Sequence, residues 1–233
     1  EALRLAFIQH KEFAVALRGV QKERTIADAF RQTGSGDTLV NMMQLDLIVG
    51  SGGVLSHAPR RTQSMRMMID AFEPEGVTEI AVDSIFMMPH LGVLSTVDPV
   101  AATEVFEHDC LVYLGTCVAP AGVIDETRLV LEIALTLPDG TQQTKTLAAN
   151  QLWRVELPHE TPAQAVVTPL QKTLDLGAGP GKAIERSLRG GVVGLVFDTR
   201  GRPIRLTATQ SDRVSLVDSW VEAMDEYPRK GEV

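Results

Sequence analysis

Basic residues, aromatics and cysteines are all scarce in this chain, and each shortage excludes a class of function. Lysine and arginine total 22 against 30 acidic residues, a formal charge of -8. Non-specific nucleic-acid binding needs clustered cations, and the nearest thing here is the isolated pair Arg60-Arg61. Aromatics make up 5% of the chain, so the core must come from Val, Leu, Ile, Met and Ala. The only cysteines, Cys110 and Cys117, are not a C-x-x-C pair and have no histidine cluster beside them, which argues against zinc. They read as buried cytosolic thiols. Long apolar runs are missing too: the stretch at 129–137 is interrupted by Glu132, and no leader pattern opens the sequence. The expectation is a cytoplasmic protein without membrane or nucleic-acid partners. The start at Glu1, without Met and already in a helical pattern, reads as a piece of a longer protein.

What is present is ordinary globular composition, 44% hydrophobic and 22% charged over 233 residues. That length serves one large domain or two small ones. Residues 1–30 read as helix, with Leu3, Phe7, Phe13, Leu17 and Val20 near the 3.6 period and Gly19 as a weak point. A loop follows at Thr33-Gly34-Ser35-Gly36-Asp37. The apolar run at 45–49 predicts a buried strand of a parallel sheet. Gly50-Ser51-Gly52-Gly53 then leads into a helix, with Pro59 suited to a first turn and Met65, Met68, Ile69 and Phe72 on one stripe. Pro74-Glu75-Gly76 ends that helix, and 78–82 predicts the next strand, so 45–83 is a strand–helix–strand unit. Asp98-Pro99 opens a short helix. Beyond Cys117 short strands dominate: 128–137 and a partner through Leu147 about the turn Pro138-Asp139-Gly140, then 151–157, 165–170, 174–176 and 192–197. Asp198-Thr199-Arg200-Gly201-Arg202-Pro203 reads as a turn, and 214–224 as an amphipathic helix. The pattern predicts an α/β domain over 1–120 and a mainly β domain over 121–233 that ends in a helix.

Four stretches invite a chemical reading. In Asp46-Leu-Ile-Val-Gly-Ser-Gly-Gly53, three glycines in four positions at a strand-to-helix junction let main chain approach a ligand. The spacing departs from the dinucleotide fingerprint G-x-G-x-x-G, since Leu occupies position 55. It fits better the hydrophobic-strand-then-Gly-Gly turn that holds adenosine in the actin, hexokinase and heat-shock-chaperone superfamily. That use requires open space beside the turn; a tight turn without ligand is the competing reading. His57, beside the glycines, is placed to stack on an adenine or to be an ordinary polar residue near a helix start. Asp83, at the carboxyl end of the second strand, is placed for a polar ligand or water-mediated magnesium contact, or to cap the next turn. Gly177-Ala-Gly-Pro-Gly-Lys182 mimics a phosphate loop but has three residues between the outer glycines and Ala183 after the lysine, so it reads as a surface turn. Cys117 has no evident base and reads as a small buried residue rather than a nucleophile. The five histidines, 10, 57, 90, 108 and 159, lack ligand spacing.

Taken together, Leu45 to His57, Ala58-Pro-Arg-Arg61, Asp70-Ala-Phe-Glu-Pro-Glu-Gly76, Asp83-Ser-Ile-Phe-Met-Met-Pro89 and Leu114-Gly-Thr-Cys-Val-Ala-Pro120 resemble the glutamate mutase MutL family, which is distinct from the mismatch-repair protein of that name. Gly190-Gly-Val-Val-Gly-Leu-Val-Phe-Asp-Thr-Arg-Gly-Arg-Pro203 resembles its C-terminal region. The resemblance implies an actin-like (ribonuclease-H-like) ATPase fold and an ATP-dependent accessory factor. Such a factor helps a cobalamin-dependent glutamate (methylaspartate) mutase exchange damaged cobalamin. Gly50, Ser51, Gly52 and Gly53 would take the adenosine role, with His57 and Asp83 beside them. ATP or ADP with magnesium is implied for the full protein and mutase subunits as partners. The superfamily's two phosphate-handling hairpins are not found: no D-x-G-[ST] occurs, and Asp37-Thr38 and Asp198-Thr199-Arg200-Gly201 have the wrong order. The expectation is that those parts lie upstream and that this stretch does not hydrolyse ATP by itself. A rival reading is an inert scaffold that docks a mutase subunit, with Trp153, Trp220 and Tyr227 as candidate anchors.

Overall fold

Two short parallel strands set the geometry of the N-terminal half. In the computed structural model, which describes residues 1–17, 40–206 and 209–227, β1 (Leu47–Gly50) pairs in parallel with β2 (Gly76–Asp83). A parallel pair needs a crossover. Here it consists of a single turn, α2 (Gly53–Ser56), followed by α3 (Arg61–Phe72). The expected single helix is therefore split. Pro59 lies outside both pieces, ahead of Arg60, whose amide donates to the Gln63 side chain at 3.3 Å. On α3, Met65, Met68 and Ile69 are fully buried, as the stripe predicts. Glu73 closes the helix in the left-handed region. The N-terminal helix α1 (Ala2–Leu17) leans on α3, with Phe7 edge-on to Phe72 at 5.0 Å between ring centres. The expected continuation to residue 30, with Gly19, and the loop at 34–37 lie outside the described residues.

After β2 come α4 (Met88–Leu94), α5 (Pro99–Val105, capped by Asp98 accepting from the Ala101 amide at 3.0 Å) and a π-helical turn. Then β3 (Leu111–Ala119) runs antiparallel to β2. The chain continues through β4 (Leu129–Thr136), β5 (Gln142–Ala148), β6 (Leu152–Val155), β7 (Ala163–Pro169), β8 (Ile184–Leu188) and β9 (Gly194–Asp198) to α6 (Gln210–Met224). Five strands form one mixed sheet in the order β1-β2-β3-β9-β6; four form an antiparallel sheet in the order β5-β4-β7-β8.

The fold is thus mixed α/β. One face of the five-stranded sheet carries Val118, Val155, Leu195 and Phe197 into a core shared with Val130, Ile133, Leu135 and Val167 of the second sheet. Cys117, Ala119, Leu152 and Val196 point the other way, to meet Met65, Met68 and Ile69 of α3 and Trp220 and Met224 of α6. This opposition follows from the two-residue period of a strand. Strands from both sides of residue 120 share the larger sheet, because β3 pairs in parallel with β9. The strand at 45–49, expected to be buried, is instead an edge strand among the described residues, and Leu47 is exposed. Its run of apolar residues reflects one packed face rather than two.

The glycines of the C-terminal motif are packing devices. Gly115 and Gly194 are register partners on β3 and β9, and both have positive φ. A Cβ on Gly115 would run into the Gly194 carbonyl, one on Gly194 into the Val155 carbonyl, and one on Gly190 into that of Leu157. The strands approach at main-chain distance, which only glycine permits.

Candidate functional site at the glycine hinge

The carboxyl ends of β1 and β2 lie side by side, since Gly50 is level with Val82, and the residues that follow each strand form one constellation. The hinge glycines divide into two kinds. A side chain at Gly50 would collide with Leu55 and Met68, so this glycine serves packing. At Gly52 and Gly53 a Cβ would meet nothing within 4 Å. Gly52 also adopts φ 115 and ψ 153, a conformation reserved for glycine. Main chain is therefore open to a ligand at these two positions. Leu55 and Ser56 are buried behind it, and the Ser64 hydroxyl holds the Leu55 carbonyl at 2.7 Å. Two surface hollows of about 450 and 390 Å³ lie elsewhere, the first against Arg213, Val214 and Val217 of α6, the second beside Arg154 and Gly191. The hinge itself is open at Gly52 and Gly53.

Asp83 sits under this face with no exposed surface. Its carboxylate accepts the amides of Ile85, Met87 and Met88 at 3.3, 3.2 and 3.0 Å and the Ser51 hydroxyl at 3.3 Å. The Ser56 hydroxyl donates to its carbonyl. Burial works against the charge, but the Met88, Met87 and Ile85 amides and Ser51 outweigh it and hold the carboxyl below its ordinary range. Asp83 therefore ties the two strand ends together. Ser51 and Asp83 are brought into contact, and Gly52 and Gly53 stand open beside them.

His57 is placed differently from expectation. It follows the single turn α2, its amide donating to the Gly53 carbonyl at 2.9 Å, and so ends that turn rather than starting the helix. Its side chain is exposed.

Phe86 was not legible as a site residue. Among the described residues it is one of four non-glycine residues with positive φ, at 59°, and 53% of it is exposed. The conformation depends on the amides around it closing onto Asp83, which no sequence spacing announces. Asp198 and Arg200 were missed as well: the expected turn at 198–203 contains a buried ionic network. Asp198 accepts from Arg200 at Nε (3.0 Å), Nη2 (2.9 Å) and the main-chain amide (2.9 Å), and from Arg202 Nη2 at 3.0 Å. Arg200 Nη1 reaches Asp70 at 2.6 Å, and its guanidinium lies over the Trp220 ring at 4.8 Å. Arg66 extends the network from Asp70 to Glu226.

The other candidates resolve simply. Cys110 and Cys117 are free and buried. Burial pushes the Cys117 thiol up to about 12, which removes it as a nucleophile at neutral pH. The Asp175 carboxylate takes the amides of Gly177 and Gly179 at 2.7 and 2.9 Å, making the glycine-rich stretch a side-chain-stabilised turn. No described helix is long and apolar enough to cross a membrane.

A family model described as MutL protein matches residues 1–110. That stretch, a little under half of the chain, is similar to the MutL family. The match takes in the hinge, Asp83 and Phe86, and it ends before β3. No curated protein and no solved structure matches the chain.

Proposed function

We propose that this chain is part of an accessory protein of a cobalamin-dependent glutamate mutase and that its hinge takes the nucleoside end of ATP or ADP. The observation that carries the proposal is the pair of open glycines, Gly52 and Gly53, at the carboxyl ends of two parallel strands. In open α/β sheets that position is where ligands settle. The MutL match over residues 1–110 supports the accessory role. The actin-like ATPase fold, magnesium and reactivation of the mutase belong to the same reading and rest on the family resemblance. Cations of the phosphate side are not supplied locally. Residues 46–57 contain neither Lys nor Arg, and Arg61 is engaged with the Ser56 carbonyl at 2.8 Å.

Gly53 offers the cleaner test. A side chain at Gly52 would be strained by its φ, whereas a Cβ at Gly53 meets nothing within 4 Å, so Gly53→Leu starts into open space. Calorimetric titration with ADP should show affinity reduced about ten-fold or more at an unchanged melting temperature, because the new side chain occupies the ligand's place. Equal affinity in the variant refutes the site.

A further inference from the structure

Phe86 incurs two costs for no folding return. A bulky residue in the left-handed region is strained, and its ring contributes little to the core with 53% of the residue in solvent. The strain is actively maintained: the amides of Ile85 and Met87, on either side of Phe86, both bond the Asp83 carboxylate, which also holds Ser51 of the hinge. One buried carboxylate thus fixes an exposed aromatic ring and the open glycine main chain relative to each other. The surroundings select the kind of group that fits. Ile85 and Met88 are exposed beside Phe86, and residues 84–97 contain no Asp, Glu, Lys or Arg. Such a surface suits a flat, uncharged ring.

We infer that Phe86 is the stacking wall for the base of a nucleoside at the hinge, and that Asp83 is a positioning residue rather than a ligand contact. This rests on the nucleoside reading of the hinge proposed above. With all its visible bonding directed to Ser51 and three amides, Asp83 does not read the base; contact with the base is made by ring stacking, which every purine face accepts.

The test titrates adenosine into the 233-residue protein, into Phe86→Ala and into Phe86→Tyr. Loss of the ring should weaken adenosine about ten-fold, and tyrosine should restore it. Melting temperatures should stay together, because the brace is made by main-chain amides and the ring is exposed. Wild-type affinity in Phe86→Ala overturns the stacking wall while leaving the hinge reading intact. Capture of a mutase subunit lost in Phe86→Ala, with adenosine binding unchanged, also overturns it and assigns the ring to protein docking. Absence of adenosine binding by the wild-type protein overturns the hinge reading itself, and the stacking wall with it.

Discussion

Replacing Asp198 by alanine should cost this protein about 3 kcal/mol of stability. Asp198 and the Arg200 side chain are both without exposed surface, and four donors converge on the one carboxylate. Burial disfavours the charge on Asp198, but Arg200 and Arg202 outweigh it and hold the carboxyl well below the usual range. Burial likewise opposes the charge on Arg200, and Asp198 and Asp70 overcome it. Breaking a buried ion pair by removing one partner leaves an uncompensated charge, at about 3–5 kcal/mol. The lower end applies, because Arg200 keeps Asp70 at 2.6 Å, a carboxylate 40% exposed and partly hydrated. For a chain of this size, about 2–4 °C per kcal/mol gives a drop in melting temperature of roughly 6–12 °C. Differential scanning calorimetry, with urea unfolding for the free energy, measures both. A loss under about 1 kcal/mol would refute the claim that this carboxylate, rather than apolar packing, secures the turn after β9 to α3.

Three further outcomes follow from the same structure. Stability should peak in mildly acidic solution. Burial raises Glu75 and Glu226, with Arg202 and Arg66 only partly opposing it, so their contribution grows as pH falls through their folded values toward the unfolded value of about 4.3. Asp83 and Asp198 are lowered, so the stability they confer is complete above about 3.9 and is lost as pH falls through their folded values. Urea midpoints at about pH 7, 5 and 3 should rise slightly and then fall; equal midpoints at the two extremes would contradict the sign. Gly115→Ala should abolish folding or cost more than about 3 kcal/mol, since its Cβ meets the unyielding Gly194 carbonyl. Gly140→Ala, at φ 84 with nothing within 4 Å, should cost only about 1 kcal/mol by thermal unfolding.

The sequence made the strand–helix–strand unit, the Asp98 cap and the 138–140 hairpin readable because each is specified locally: a period, a capping side chain, a turn residue pair. It hid β3 and β8 for the same reason. Gly115-Thr116 interrupts the apolar signature of β3, and that glycine is there only because Gly194, far along the chain, needs the space. In β8 only Ile184 and Leu188 are buried, around three exposed polar residues, which is too little alternation to register. The burial of 198–203 was equally illegible. Asp-Thr-Arg-Gly-Arg-Pro has the composition of a surface turn, and only the partner Asp70 on α3 and the ring of Trp220 convert it into an interior network. At the hinge, the glycines were legible but their division into packing and open positions was not, because Leu55 and Met68 decide it.

On the proposed reading of the hinge, the placement of charge decides which end of a nucleotide it would serve. β9 runs antiparallel to β2, so the ionic network at Asp198 lies at the opposite end of the sheet from Asp83, and its arginines are occupied by carboxylates and the Pro74 carbonyl. Near the hinge, Arg60 is directed to Asp225 and Arg61 to the Ser56 carbonyl. Around the hinge, Ser51, Asp83, Arg60 and Arg61 are thus engaged in holding the fold, while open glycine main chain, the Phe86 ring and the His57 side chain face solvent. A phosphate placed there would gain little Coulombic compensation from a chain of net charge -8, whereas an uncharged purine would lose little by leaving water. That asymmetry, more than the glycine pattern itself, is why the hinge is read as the nucleoside side of a site.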